Sequence, residues 1–353
     1  MKNNKSLFYF FTLAVIIVIA GCKSCTPKPV ENPPVTSIIT YEAGATIPDY
    51  PKMTLQNYQV AESAKTDEAT AQKNVSQLLQ YVGASGEFDM ANAIKENGIL
   101  FYKNPKDPSA ILNINLLNGD ISLNRGTKAY MGLNSTPDLV KNEEAVKIAK
   151  QHLAKLNFGT GDENQLVIGH VGGVNMTVHD DKQGDKIVEK LTTVRFDREL
   201  DDIPVIGHTR VLVQMGSKGS VQSLVKQWAP LSNKKINNES IVNIDDVKKS
   251  IEKHLMDENK GAEKIIVKKI TLIYYDTGKD VLEPALHIIA EVQMPRGKTD
   301  SKFIGFKHDL VEPLLKSPRL SYTFIGEKHE MPKQLDNVDN NSVLPRGADE
   351  QKR

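Results

Sequence analysis

Apolar residues recur at helical spacing three times along this chain, and each time a train of strand-like segments follows. Over residues 60–82, Ala71, Val75, Leu78, Leu79 and Val82 fall on one helical face. Gly83 is placed to end that helix. Segments with strand character follow at Ile99–Tyr102, Ala110–Leu116 and Asp120–Asn124, with Asn118-Gly119 as a hairpin turn between the last two. The second helix spans about 143–157, with Asn142 as its expected N-cap and Ala145, Ile148, Ala149, Leu153 and Leu156 as its apolar face. Strands are then expected at Leu166–Val171, Asn175–His179, Ile187–Phe196, Val205–Met215 and Ser220–Trp228. The third helix, 244–257, is capped by Asn243 and lined by Ile244, Val247, Ile251 and Leu255. Strands at Lys264–Tyr275, Val281–Met294, Phe303–Phe306 and Leu320–Ile325 complete the pattern. Helices set apart from hairpin-joined strands predict an α+β fold of two to three packed units, each a helix on an antiparallel sheet.

Outside these units the pattern changes. Lys2 and Lys5 precede an apolar run of about 14 residues, Leu7–Ala20, which closes on Ile19-Ala20-Gly21-Cys22. The run is short of the roughly 20 residues that span a bilayer, and its flanks are those of a signal peptide. A branched apolar residue, two small residues and a cysteine resemble the lipobox of bacterial lipoproteins. That resemblance implies cleavage before Cys22 and lipidation of its thiol, with several acyl chains giving the stable anchoring that one chain does not. With Cys22 lipidated, Cys25, the second of the two cysteines, has no intramolecular disulfide partner. Residues 22–40 carry Pro27, Pro29, Pro33 and Pro34 and read as a semi-rigid tether. The expected organisation is therefore a signal peptide at 1–21, the tether, units at 41–135, 136–235 and 236–332, and a polar, disordered tail at 333–353. Lys23, in place of an aspartate at the second mature position, points to the outer membrane where the host has one.

Loss of Lys2 and Lys5 takes the formal charge from +1 to −1. A near-neutral chain has no broad basic field, which argues against nucleic acid as a partner.

The second and third units resemble PepSY domains and the related propeptide domains of thermolysin-like and fungalysin-like metallopeptidases. The residues that carry this are Asn142-Glu-Glu-Ala-Val-Lys-Ile-Ala, Asp202-Ile-Pro-Val-Ile-Gly207, Gly219-Ser-Val-Gln-Ser-Leu224, Leu272-Ile-Tyr-Tyr275 and Leu282-Glu-Pro-Ala285. The resemblance covers about 142–294 and implies a cystatin-like arrangement. Its role would be chaperone-like, inhibitory or regulatory toward an envelope protein or peptidase.

Catalytic patterns are missing from the sequence. His329-Glu330-Met331-Pro332-Lys333 has lysine where a zincin needs its second histidine, and its proline would break the helix. Gly297-Lys298-Thr299 lacks the first glycine of a phosphate loop, and Gly159-Thr160-Gly161 follows a helix, the wrong context for a dinucleotide fingerprint. His170, His179, Asp180 and Asp181 form a weak metal candidate on adjacent strands, with strand-edge placement the better reading. Trp228, the single tryptophan, is expected in the core. No catalytic residue, cofactor or resident metal is expected. The expected function is binding of a protein partner, by strand addition or groove binding, with Val205–Met215 and Val281–Met294 as candidate surfaces. An envelope-polymer hydrolase with a dispersed site, or a scaffold of a membrane complex, is the competing reading.

Overall fold

A computed structural model describes residues 37–126, 137–156, 163–180, 184–295 and 304–322, with backbone alone at 163, 178–180 and 304. Its strands are β1 (Ile38–Tyr41), β2 (Gln56–Val60), β3 (Ile94–Glu96), β4 (Ile99–Tyr102), β5 (Ile111–Asn115), β6 (Ile121–Asn124), β7 (Leu166–Asp180), β8 (Gly184–Leu200), β9 (Ile203–Gly207), β10 (Arg210–Met215), β11 (Val221–Gln227), β12 (Leu231–Lys235), β13 (Lys264–Asp276), β14 (Val281–Met294) and β15 (Ile304–Pro313). The helices are α1 (Glu68–Tyr81), α2 (Asn142–Lys155) and α3 (Ile244–Glu258).

The expectation of repeated helix-plus-antiparallel-sheet units is overturned. All 15 described strands belong to one mixed sheet, in the order β12-β2-β14-β13-β9-β8-β10-β11-β6-β5-β4-β3, with β1 on β13, β15 on β14 and β7 on β8. Pairing is long-range where a repeat would keep it local. β6 pairs with β11, β12 with β2, and β9 runs parallel to β13. Each of these ladders joins segments that hairpin logic assigns to different units. The hydrophobic alternation of a strand sets which face it buries and leaves its neighbour unspecified.

The helix faces follow their spacing. In α1, Asp67 caps the helix by accepting from the Thr70 N–H at 2.8 Å, and Ala71, Val75, Leu78 and Leu79 are buried. The helix starts at Glu68 because residues 56–60 are drawn into the sheet as β2. Asn142 is the first helical residue of α2, with Lys141 in the cap position and no side-chain cap. Asn243 caps α3 through the Asp246 N–H at 2.9 Å. α1 and α2 share one core with β4, β5, β6, β8, β10 and β11, in which Leu78, Leu123, Phe196, Leu224 and Trp228 are buried. α3 packs in a second core on β13, β14 and β15.

A third, smaller cluster includes Ile273, Tyr275, Ala285 and Val311, closed by Leu320. The side chain of Glu283 is fully buried beside it. The carboxylate accepts from the backbone N–H groups of Arg319 and Leu320, from Arg319 Nε at 3.2 Å and from the Tyr322 hydroxyl at 3.1 Å. Burial and the Glu283 charge both push the Tyr322 hydroxyl well above its ordinary range. Residues 319–322 thus strap the sheet by satisfying one buried carboxylate.

β9 is the only described strand that pairs with both halves of the sheet. It meets β8 through a two-residue turn in which Asp201 and Asp202 both have positive φ (53° and 61°), the requirement of a type I′ hairpin. At its other end Gly207 has φ +126°, and a Cβ there would lie 1.9 Å from the Asp276 carbonyl oxygen. Gly207→Ala combines backbone strain of roughly 1–3 kcal/mol with a main-chain clash. It is expected to lower unfolding free energy by at least about 2 kcal/mol in urea titrations, and a loss below about 1 kcal/mol would show that this approach is not constrained.

Candidate functional site

The junction that β9 makes brings four turns together around a narrow cleft. They contribute Asn118 and Asp120, His208 and Thr209, Gln227 and Ala229, and Asp276, Gly278 and Lys279. Asp120 follows the Asn118-Gly119 turn, whose Gly119 has φ +71°. One Asp120 oxygen lies 2.8 Å from His208 Nε2 and accepts from Asn118 Nδ2 at 2.8 Å, while the other accepts from the Trp228 N–H at 3.1 Å. Asp276, also buried, accepts from the Thr209 N–H at 2.9 Å and from the Thr209 hydroxyl, and its second oxygen accepts from the Gly278 N–H at 2.7 Å. Gln227 approaches His208 Nδ1 at 3.4 Å. Beneath the cleft, Trp228 is 2% exposed with the Arg198 guanidinium 4.8 Å over its ring, and Arg198 donates to Gln165 and to the Ala229 carbonyl.

The bond to Asp120 holds the His208 pKa above its ordinary value; burial and Arg210 oppose the shift, and Asp276 adds to it. Burial pushes the Lys226 ammonium below its ordinary range, with Asp120 working against it. In chemical terms the cluster is already spent. Nε2 of His208 serves Asp120, Nδ1 faces Gln227, and the Thr209 hydroxyl is committed to Asp276. A general base needs a ring nitrogen aimed at a nucleophile, and neither nitrogen has one among these groups. The cavity of about 10 Å³ holds roughly one water. The arrangement ties the two halves of the sheet together.

Three further histidines stand against carboxylates around β15: His254 with Glu312 (2.7 Å), His287 with Asp309 (3.0 Å) and His308 with Glu258 (3.0 Å). Desolvation lowers the pKa of His287 despite Asp309. Two of these pairs fasten α3 to β15.

The long hairpin β7–β8 offers a different kind of site. Its strands pair from Leu166↔Arg198 to Asp180↔Gly184, with irregularities at Ile168/His170 and Val174/Asn175. β10 covers the far edge of β8 only along Thr192–Phe196. Beyond that, residues 174–180 and 184–191 form a two-stranded ribbon. No residue of β7 from Leu166 to Thr177 is buried, and Ile168 and Ile187 are 54% and 69% exposed. Among the described residues nothing pairs with the outer edge of β7.

Comparison with protein-family models and with curated proteins gives no match. Among solved structures, the chain is similar to an uncharacterized protein from Eubacterium rectale at 12% identity and a TM-score of 0.44, covering 76% of this chain and 86% of that one.

His170 and His179 both lie on β7 rather than on adjacent strands, nine residues and thus about 30 Å apart along it. Asp180 ends the same strand, Asp181 lies outside the described residues, and among the described residues no group of three metal-ligating side chains converges. Cys22, Cys25, the His329 string and Gly297-Lys298-Thr299 also lie outside them. Val205–Met215 and Val281–Met294 are interior strands with ladders on both edges, so neither offers an edge for strand addition. Asp120, His208 and Asp276 carried no sequence motif. Asp120 and Asp276 stand at the edges of turns that the pattern marks, whereas His208 falls inside the expected strand Val205–Met215, which breaks there into β9 and β10.

His208 gains its proton more readily folded than unfolded, so its bond to Asp120 contributes fully below the unfolded value of about 6.5 and fades as pH rises through the raised folded value. The stability difference between the wild type and Asp120→Asn is therefore expected to be largest in mildly acidic buffer and to shrink at alkaline pH. Thermal melts across that range check it, and a constant difference would show that Asp120 acts only through Trp228 and Asn118.

Proposed function

We propose that this chain is a non-catalytic, lipid-anchored extracytoplasmic protein that binds another envelope protein through the β7–β8 ribbon. The observation that carries the reading is the ribbon itself. Two strands alone bury little and are marginal in water, yet here they run well past the strand that supports them and present an exposed isoleucine, Ile187. A partner covering the ribbon buries that surface.

The anchor rests on Ile19-Ala20-Gly21-Cys22 behind a lysine-led apolar run. Acylated Cys22 and the proline-bearing segment after it place the sheet body near a membrane surface, the outer membrane where the host has one. No helix of the described residues is long and apolar enough to cross a membrane. The cleft of Asp120, His208 and Asp276, at about 10 Å³, has room for a water and no substrate, so the hydrolase reading draws no support from it.

Two variants test the proposal in the native cell. Replacing residues 175–190 by Asn-Gly closes the hairpin early through a type I′ turn and leaves β10 its partner on β8. Crosslinking is expected to capture a distinct envelope protein with the wild type and to lose it with the shortened hairpin, while the melting transition persists. Cys22→Ala is expected to abolish incorporation of labelled fatty acid. An unchanged crosslinking pattern in the shortened variant would remove the ribbon as the binding element.

A further inference from the structure

We infer that the outer edge of β7 is closed by the same edge of a second copy of this chain, in antiparallel register about a two-fold axis. The inference rests on the reading of the ribbon as the interaction element and names what occupies its open edge.

An edge strand presents a row of unpaired N–H and C=O groups, and proteins normally protect such edges with lysine, proline, inward charges or brevity. β7 is 15 residues long. From Leu166 to Val178 it reads Leu-Val-Ile-Gly-His-Val-Gly-Gly-Val-Asn-Met-Thr-Val, without a lysine, arginine, aspartate, glutamate or proline. Its partner in the ribbon differs. β8 carries Lys186, Glu189, Lys190, Arg195, Asp197 and Arg198 over the matching stretch. The ribbon therefore has its charges on one strand and an uncharged outer edge on the other.

That asymmetry selects the occupant. In a two-fold pairing each residue of the edge meets a residue of the same edge, and like charges directly opposite one another are destabilising. An uncharged edge pairs with itself at no such cost. A strand bearing charges would find no complementary charge on β7. Self-pairing also extends the antiparallel order that β8 and β10 already have, so the geometry continues without a crossover. Anchoring on one membrane raises the effective concentration of the two copies. The dimer would then present two ribbons side by side to the partner of the preceding section.

Cysteine scanning on the lipidated protein in its own membrane tests this. In a Cys25→Ser background, with Cys22 acylated, single cysteines replace His170, Val171, Val174, Asn175, Met176 and Thr177, with Lys73→Cys on the exposed face of α1 as the collision control. Mild oxidation is expected to give disulfide-linked homodimer with a maximum at one β7 position and a fall on either side of it, several-fold above the control. Adding Asn175→Lys is expected to cut that dimer several-fold, and co-expressing the Asn175→Lys and Asn175→Glu chains to restore it as a mixed dimer. Homodimer no greater than the control at every position would overturn the inference. Oxidation that links β7 to a different protein would overturn it as well, while leaving the binding role of the ribbon in place. Loss of all crosslinks to any protein would count against both.

Discussion

Backbone hydrogen bonding along the two edges of β9 is the constraint on which this molecule turns. Of the five residues in β9, Ile203 and Pro204 pair antiparallel with the end of β8 and Val205, Ile206 and Gly207 pair parallel with the end of β13, and among the described strands only β9 joins the two. The pairing sets the distance between the core under α1 and α2 and the core under α3. It also decides where the polar turns fall. With β9 in place, the loop after Gly207 meets the Asp276 turn from one side and the Asn118–Asp120 turn from the other. The carboxylates there bind main-chain N–H groups from sequence positions far apart, Asp120 that of Trp228 and Asp276 that of Thr209. A buried acceptor satisfied across a junction is expensive to pull apart, since separation leaves a desolvated charge behind.

The same economy recurs elsewhere. Glu283 is fully buried and is satisfied mainly by a segment without regular structure, and Glu312 and Asp309 are matched by histidines from α3 and β14. In each place an ionisable group sits where a packed sheet would otherwise take an apolar residue. The positions are joints: strap to sheet, helix to strand, one half of the sheet to the other. Hydrophobic burial supplies attraction without direction, and these bonds supply the direction.

Helices were legible in the sequence because their information is local. Ala71, Val75, Leu78 and Leu79 mark a face by spacing alone, and Asn243 with Asp246 marks a start. Strand existence was legible for the same reason, and strand partnership was not. β2 and β12 are short and largely polar, so they gave no alternation to read, yet each is the other's neighbour across 170 residues of chain. Gly172 and Gly173 looked like an interruption and lie inside a 15-residue strand, because an antiparallel partner supplies what the glycines' own preference does not. The cleft was hidden for a related reason. Asp120, His208 and Asp276 are ordinary turn residues until a parallel ladder that no local rule specifies brings their turns together.

The pairing of β1 with β13 sets an order of events. Residues 38–41 form their ladder with residues 264–267, and β2 finds β12 and β14 only at residues 231–235 and 281–282. A chain made in sequence order therefore carries β2 without a partner until residues 231–235 exist and β1 until residues 264–267 do. Closing loops of that length is slow. The sheet beneath α3 is therefore a late product of synthesis. Among the described ladders, β1 on β13 closes the longest stretch of chain, so the strand that comes first is among the last to be secured.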